Sequence, residues 1–107
     1  MFPYRPTFAV ILLVLCIAGC HRDAKIIAKR NFIAKGRESV FVQTRSHFNV
    51  DYDSLSMGVI IKSIDGIAAS KTAFWLYDVN GKSASVACDA LIPNEGDTIE
   101  WRLELTW

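Results

Sequence analysis

The dipeptide Asn80-Gly81 limits the fold of this chain more than any other feature. It sits between two strand-like runs, AFWLYDV over residues 73–79 and a return run over residues 82–87. Asn and Gly accept the positive φ angles of a two-residue type I′ turn, whose twist matches that of paired strands. The pair therefore predicts an antiparallel hairpin. In its register Val79 opposes Lys82, Tyr77 opposes Ala84 and Trp75 opposes Val86. Small residues then face large ones, which gives the aromatic rings room on either face.

The neighbouring segments extend this β reading. Residues 59–64 (VIIKSI) are a strongly apolar run that ends in Asp65-Gly66, a second tight-turn signal. Gly96-Asp97 leads into residues 98–106, where Ile99, Trp101, Leu103 and Leu105 alternate with polar residues. That period of two predicts an antiparallel strand with one wet face. Residues 25–35 are also strand-like, with Ile27, Phe32 and Ile33 as expected buried positions. Residues 49–56 read as a polar connection.

A single helix is expected over residues 40–48. Ser39 suits its N-cap, and Val40, Phe41, Thr44 and Phe48 fall on one side. Val40, Phe41 and Val42 are poor helix formers, so packing must hold this helix. One helix among about four to five strands predicts the α+β class, a mixed sheet with the helix packed on one face.

The N-terminal residues carry a different kind of signal. Residues 8–18 (FAVILLVLCIA) form an apolar run too short to span a bilayer and suited to a signal-peptide core. The run ends in Ile17-Ala18-Gly19-Cys20, which resembles the lipobox of a bacterial lipoprotein. By that resemblance residues 1–19 are a signal peptide, Cys20 is the lipidation site and residues 20–25 are a short tether. Residues 26–107 form the folded domain. The expected location is the cell envelope, held at the membrane through Cys20. His21 rather than Asp follows the cysteine, a pattern similar to outer-membrane sorting in Gram-negative cells.

Charge is unevenly spread although the whole chain has a net charge of only +1. Residues 20–45 carry seven Lys/Arg against Asp23 and Glu38, and residues 46–107 carry four against nine acidic residues. The basic part follows Cys20, where anionic headgroups would attract it. An exported domain close to neutral is a poor nucleic-acid partner. After loss of residues 1–19 and acylation of Cys20, Cys88 is the remaining free thiol, so no disulfide is expected within the chain.

Residues able to run a reaction are sparse. His21 and His47 are the only histidines. Asp51 and Asp53 have Leu at position 55 and none of the other marks of a calcium loop. Cys88 has no nearby cysteine to make a zinc or redox motif. Ser39, Ser63 and Ser85 lack the context of a nucleophile elbow. Asp78, Asp89, Glu100 and Glu104 show no acid–base pairing. The reading is therefore non-enzymatic, with no catalytic residue, no metal and no cofactor.

Three motifs, taken in order, carry a family resemblance. They are GVIIKSIDG over residues 58–66, WLYDVNGK over residues 75–82 and GDTIEW over residues 96–101. Together they resemble the transcobalamin-like C-terminal domain family, over about residues 36–105. The resemblance implies a β-grasp-like fold. In transcobalamin and intrinsic factor the related domain closes over one face of cobalamin. A corrinoid or another small ligand is therefore the expected partner, contacted through the hairpin at Trp75, Tyr77, Asp78 and Asn80. Those carriers also use a large helical domain, which this chain has no room for. The family shows a hairpin before its helix, where here only residues 25–35 are available. The alternative is a structural or interaction lipoprotein that docks a partner envelope protein through a sheet edge or its acidic face.

Overall fold

The computed structural model describes residues 25–105. The expected signal peptide 1–19, Cys20 and nearly all of the expected tether lie outside the described residues. Among those described, the elements in order are β1 (Ile26–Ile33), α1 (Val40–His47), β2 (Val50–Leu55), β3 (Gly58–Ile64), β4 (Ile67–Ala68), β5 (Ala73–Val79), β6 (Lys82–Ser83) and β7 (Thr98–Leu105).

These strands make two sheets, one of four strands in the order β1-β7-β5-β6 and one of three in the order β2-β3-β4. Every pair among the described strands is antiparallel. This corrects the expected α+β, β-grasp-like mixed sheet: the protein is mostly β, in two separate antiparallel sheets. Two physical causes lie behind the difference. The polar segment after α1 is a strand and not a connection, so it pairs with β3 and founds a second sheet. And α1 has eight residues, about two turns, too few to cover a four-stranded sheet.

The turns form as the dipeptides dictate. Asn80 and Gly81 have φ of 51° and 84°, and Asp65 and Gly66 have 52° and 83°. Val79 opposes Lys82 and Asp78 opposes Ser83. Ala84 N–H still donates to the Tyr77 carbonyl at 3.0 Å, but the ladder then ends. The expected pairing of Trp75 with Val86 does not form. The chain instead turns towards the start of β3, where the Asp89 carboxylate accepts from the Val59 N–H at 3.0 Å.

The core lies on the inner face of the larger sheet. Ile99, Trp101 and Leu103 from β7 stand beside Trp75 and Tyr77 from β5 and Phe32 from β1, all buried. Ile27 and Ile33 were expected to be buried with Phe32, and both are exposed. β1 explains this: Ile33 falls on its outer face, and a bulge at Ile27 shifts the register between Ile26 and Ala28.

The helix closes one side of this core. Ser39 caps it, its Oγ accepting from Val42 N–H at 3.2 Å. Val40 and Thr44 are fully buried. The Trp101 indole N–H donates to Thr44 Oγ1 at 2.9 Å, and that hydroxyl donates on to the Val40 carbonyl at 2.7 Å. Both polar atoms are thus satisfied within an apolar setting. His47 stacks on Phe32 with ring centroids 4.5 Å apart.

Candidate functional site

β5 is the strand from which the site is built. One edge pairs with β7 along its whole length, and the other meets β6 at only Asp78 and Val79. The carbonyls of Ala73 and Tyr77 turn away from β7 and accept from Ser70 and Ala84. Strand alternation gives Trp75 the same orientation, so its backbone N–H and C=O turn to the open edge.

A groove of about 390 Å³ lies along this edge, between β5, β3 and the segment 83–88. A second groove, also about 390 Å³, continues towards β4 and shares Ile60, Ile61, Phe74 and Trp75 with the first. The walls are apolar. Ile60, Phe74, Leu76 and Val86 are 45%, 43%, 40% and 48% exposed, large fractions for such side chains. On β3 and β5 the exposed Ile60, Phe74 and Leu76 alternate with the buried Ile61, Trp75 and Tyr77.

The far end of the first groove is polar. Arg102 lies on the outer face of β7 beside Leu76. Its Nη1 donates to Asp78 Oδ1 at 2.5 Å, Nε to Glu104 Oε1 at 2.8 Å and Nη2 to Ser83 Oγ at 3.2 Å. All three charged side chains are largely buried. Two carboxylates around one guanidinium leave this end weakly negative.

Of the four residues singled out from the hairpin, the structure brings Trp75 and Tyr77 into the groove wall. Each also has a structural partner: the Trp75 indole donates to the Ile67 carbonyl and the Tyr77 hydroxyl to the Val86 carbonyl, both at 2.9 Å. Asp78 is bound to Arg102 beyond the groove's end. Asn80 is a staple within the turn region, its amide donating to Asp97 Oδ1 at 2.9 Å and its carbonyl accepting from Thr98 N–H at 2.8 Å. Phe74, one of the hairpin aromatics that could present a flat apolar surface, also lines the groove, whereas Ile60, Leu76 and Val86 were not among the residues expected to contact a ligand. The signal for Ile60 and Leu76 was present in the sequence, in strands apolar at consecutive positions. Such strands bury both faces only when a layer covers each.

Two ionisable groups in the groove wall, Cys88 and Tyr77, stay neutral in ordinary conditions. Burial pushes the Cys88 thiol up to about 12, with a smaller contribution from Asp89. Burial likewise raises the Tyr77 hydroxyl to about 12. Neither supplies a nucleophile at neutral pH. Among the described residues there is no group of three or more His, Cys, Asp and Glu able to hold a metal. Nor, among them, is any helix long and apolar enough to cross a membrane.

Residues 37–104 match the family described as Domain of unknown function (DUF4430). The chain belongs to this family. The DUF4430 family is transcobalamin-like, in keeping with the three motifs at residues 58–66, 75–82 and 96–101. The matched residues hold the helix, both sheets except β1, and the whole groove. No curated protein and no solved structure matches the chain.

Proposed function

We propose that this chain is a non-enzymatic binding module of the cell envelope, lipid-anchored through Cys20, that holds a small ligand in the groove between β3 and β5. The observation that carries the reading is the set of exposed apolar side chains around one groove: Ile60, Phe74, Leu76 and Val86. Ligand sites are mostly apolar clefts of a few hundred Å³ with a small number of placed polar groups. Here those groups are the open backbone of Trp75 and the Arg102 cluster at the groove's end.

The transcobalamin-like family makes a corrinoid the first ligand to try. Cobalamin would enter as a bound ligand and not as a catalytic cofactor. Equilibrium dialysis of the full chain, in detergent, against cobalamin tests this. Binding in the micromolar range is expected. Leu76→Asp would place a carboxylate in the apolar wall and weaken binding by about tenfold or more. Absence of binding up to high micromolar cobalamin counts against the corrinoid reading.

A specific observation favours a second reading, an interaction module that docks another envelope protein. β2 is the outer strand of the smaller sheet, and Tyr52, Leu55 and Met57 are exposed on and just beyond it. A sheet edge of this kind can accept an added strand. Affinity capture from membranes should then recover a stoichiometric partner, lost in Leu55→Asp. Equal recovery with that variant would remove β2 as the docking edge.

A further inference from the structure

The start of β1 breaks the rule that consecutive strand residues face opposite sides. Ile26 opposes Glu104 and Ala28 opposes Leu103, so Ile27 is an extra residue in β1 with no partner on β7. This bulge lets two successive isoleucines point outward. Ile26 is 40% exposed and Ile27 54%. In a regular ladder one of the two would enter the core, where Ala28 now packs.

Lysines flank this pair. Lys25 and Lys29 are both exposed. Glu104, opposite Ile26, is bound to Arg102, and Glu100 lies 3.6 Å from Lys29. Just ahead of the pair in sequence, Arg22 and Lys25 stand against one acidic residue, Asp23. Apolar residues set among lysines fit an anionic bilayer surface better than they fit water.

Position in the chain names the occupant. Ile26 lies six residues beyond Cys20. Even fully extended, six residues reach about 20 Å. A lipidated Cys20 therefore keeps this end of β1 close to the headgroups.

We propose that Ile26 and Ile27, with Lys25 and Lys29, form a second membrane contact, laying the bulged start of β1 against an anionic lipid surface. This rests on the reading of Cys20 as the anchor, and it adds an orientation: the larger sheet meets the bilayer at its β1 edge.

The test uses the full chain in phosphatidylcholine vesicles with and without phosphatidylglycerol, some carrying brominated acyl chains. An environment-sensitive fluorophore is placed on Ile27→Cys, or on Met57→Cys for comparison. The probe at position 27 should be quenched several-fold more than that at 57, and more strongly with phosphatidylglycerol present. Equal quenching at both positions overturns the contact. Shielding of position 27 without vesicles also overturns it, because a second copy of the chain would then be the cover. Acylation of Cys20 is scored by mass in the same preparation. An unmodified Cys20 overturns the anchor reading together with this one, whereas a lipidated chain whose position-27 probe stays in water overturns this contact alone.

Discussion

At Gly58 the backbone has φ of 132° and passes so close to residues 87–89 that a Cβ would collide with the Ala87 side chain. Only glycine meets both demands, and Gly58→Ala should destabilise the fold by about 2 kcal/mol or more, measured by urea unfolding. Thr44 is a second such position. Thr44→Val keeps the shape but strands the Trp101 indole N–H, at an expected cost of about 1–3 kcal/mol in the same assay. The raised acidities of Cys88 and Tyr77 predict a pH dependence. Cys88 moves from 9.0 to about 12 and Tyr77 from 10.0 to about 12. Above pH 9 the unfolded chain gives up these protons while the folded chain keeps them. The stability they contribute is complete below pH 9 and is lost as pH rises through about 12. Alkaline unfolding followed by Trp fluorescence should begin in this window, and Tyr77→Phe should reduce the dependence.

Among the elements, the hairpin at Asn80-Gly81 depends on both its backbone angles and the Asn80 side chain. Asn80→Ala would lose two hydrogen bonds as well as the tolerance for positive φ, and should cost about 1–2 kcal/mol by thermal or urea unfolding. This hairpin, the Asp65-Gly66 turn, the Ser39 cap and β7 were legible because each is written in local chemistry. Its return strand was legible only as far as Ala84. Beyond that, tertiary contacts at Val59 and Tyr77 draw the chain away, and no local residue records them. β2 was missed because Asp51, Asp53 and Ser54 make an exposed edge strand look like a loop. Charges on an edge also discourage unwanted pairing. The bulge at Ile27 is a register effect that requires knowing the β7 partner.

For the whole molecule, the two-sheet arrangement has the larger consequence for function. A single sheet with a helix over it would have covered one face of β3 and β5. Two antiparallel sheets meet along those strands without a shared ladder, and the groove is what remains between them. The hairpin pointed to β5, where Trp75 and Tyr77 were legible as aromatics and line the groove, while Ile60 and Val86 join them only through folding. In the proposed function, ligand enters this groove. Methyl and amide NMR shifts of the labelled chain, recorded as cobalamin is added, test it most directly. Saturable shifts centred on Ile60, Leu76 and Val86, with the β2 edge unmoved, are expected. Shifts confined to β2, or none while Ile60 and Leu76 remain in view, would contradict it.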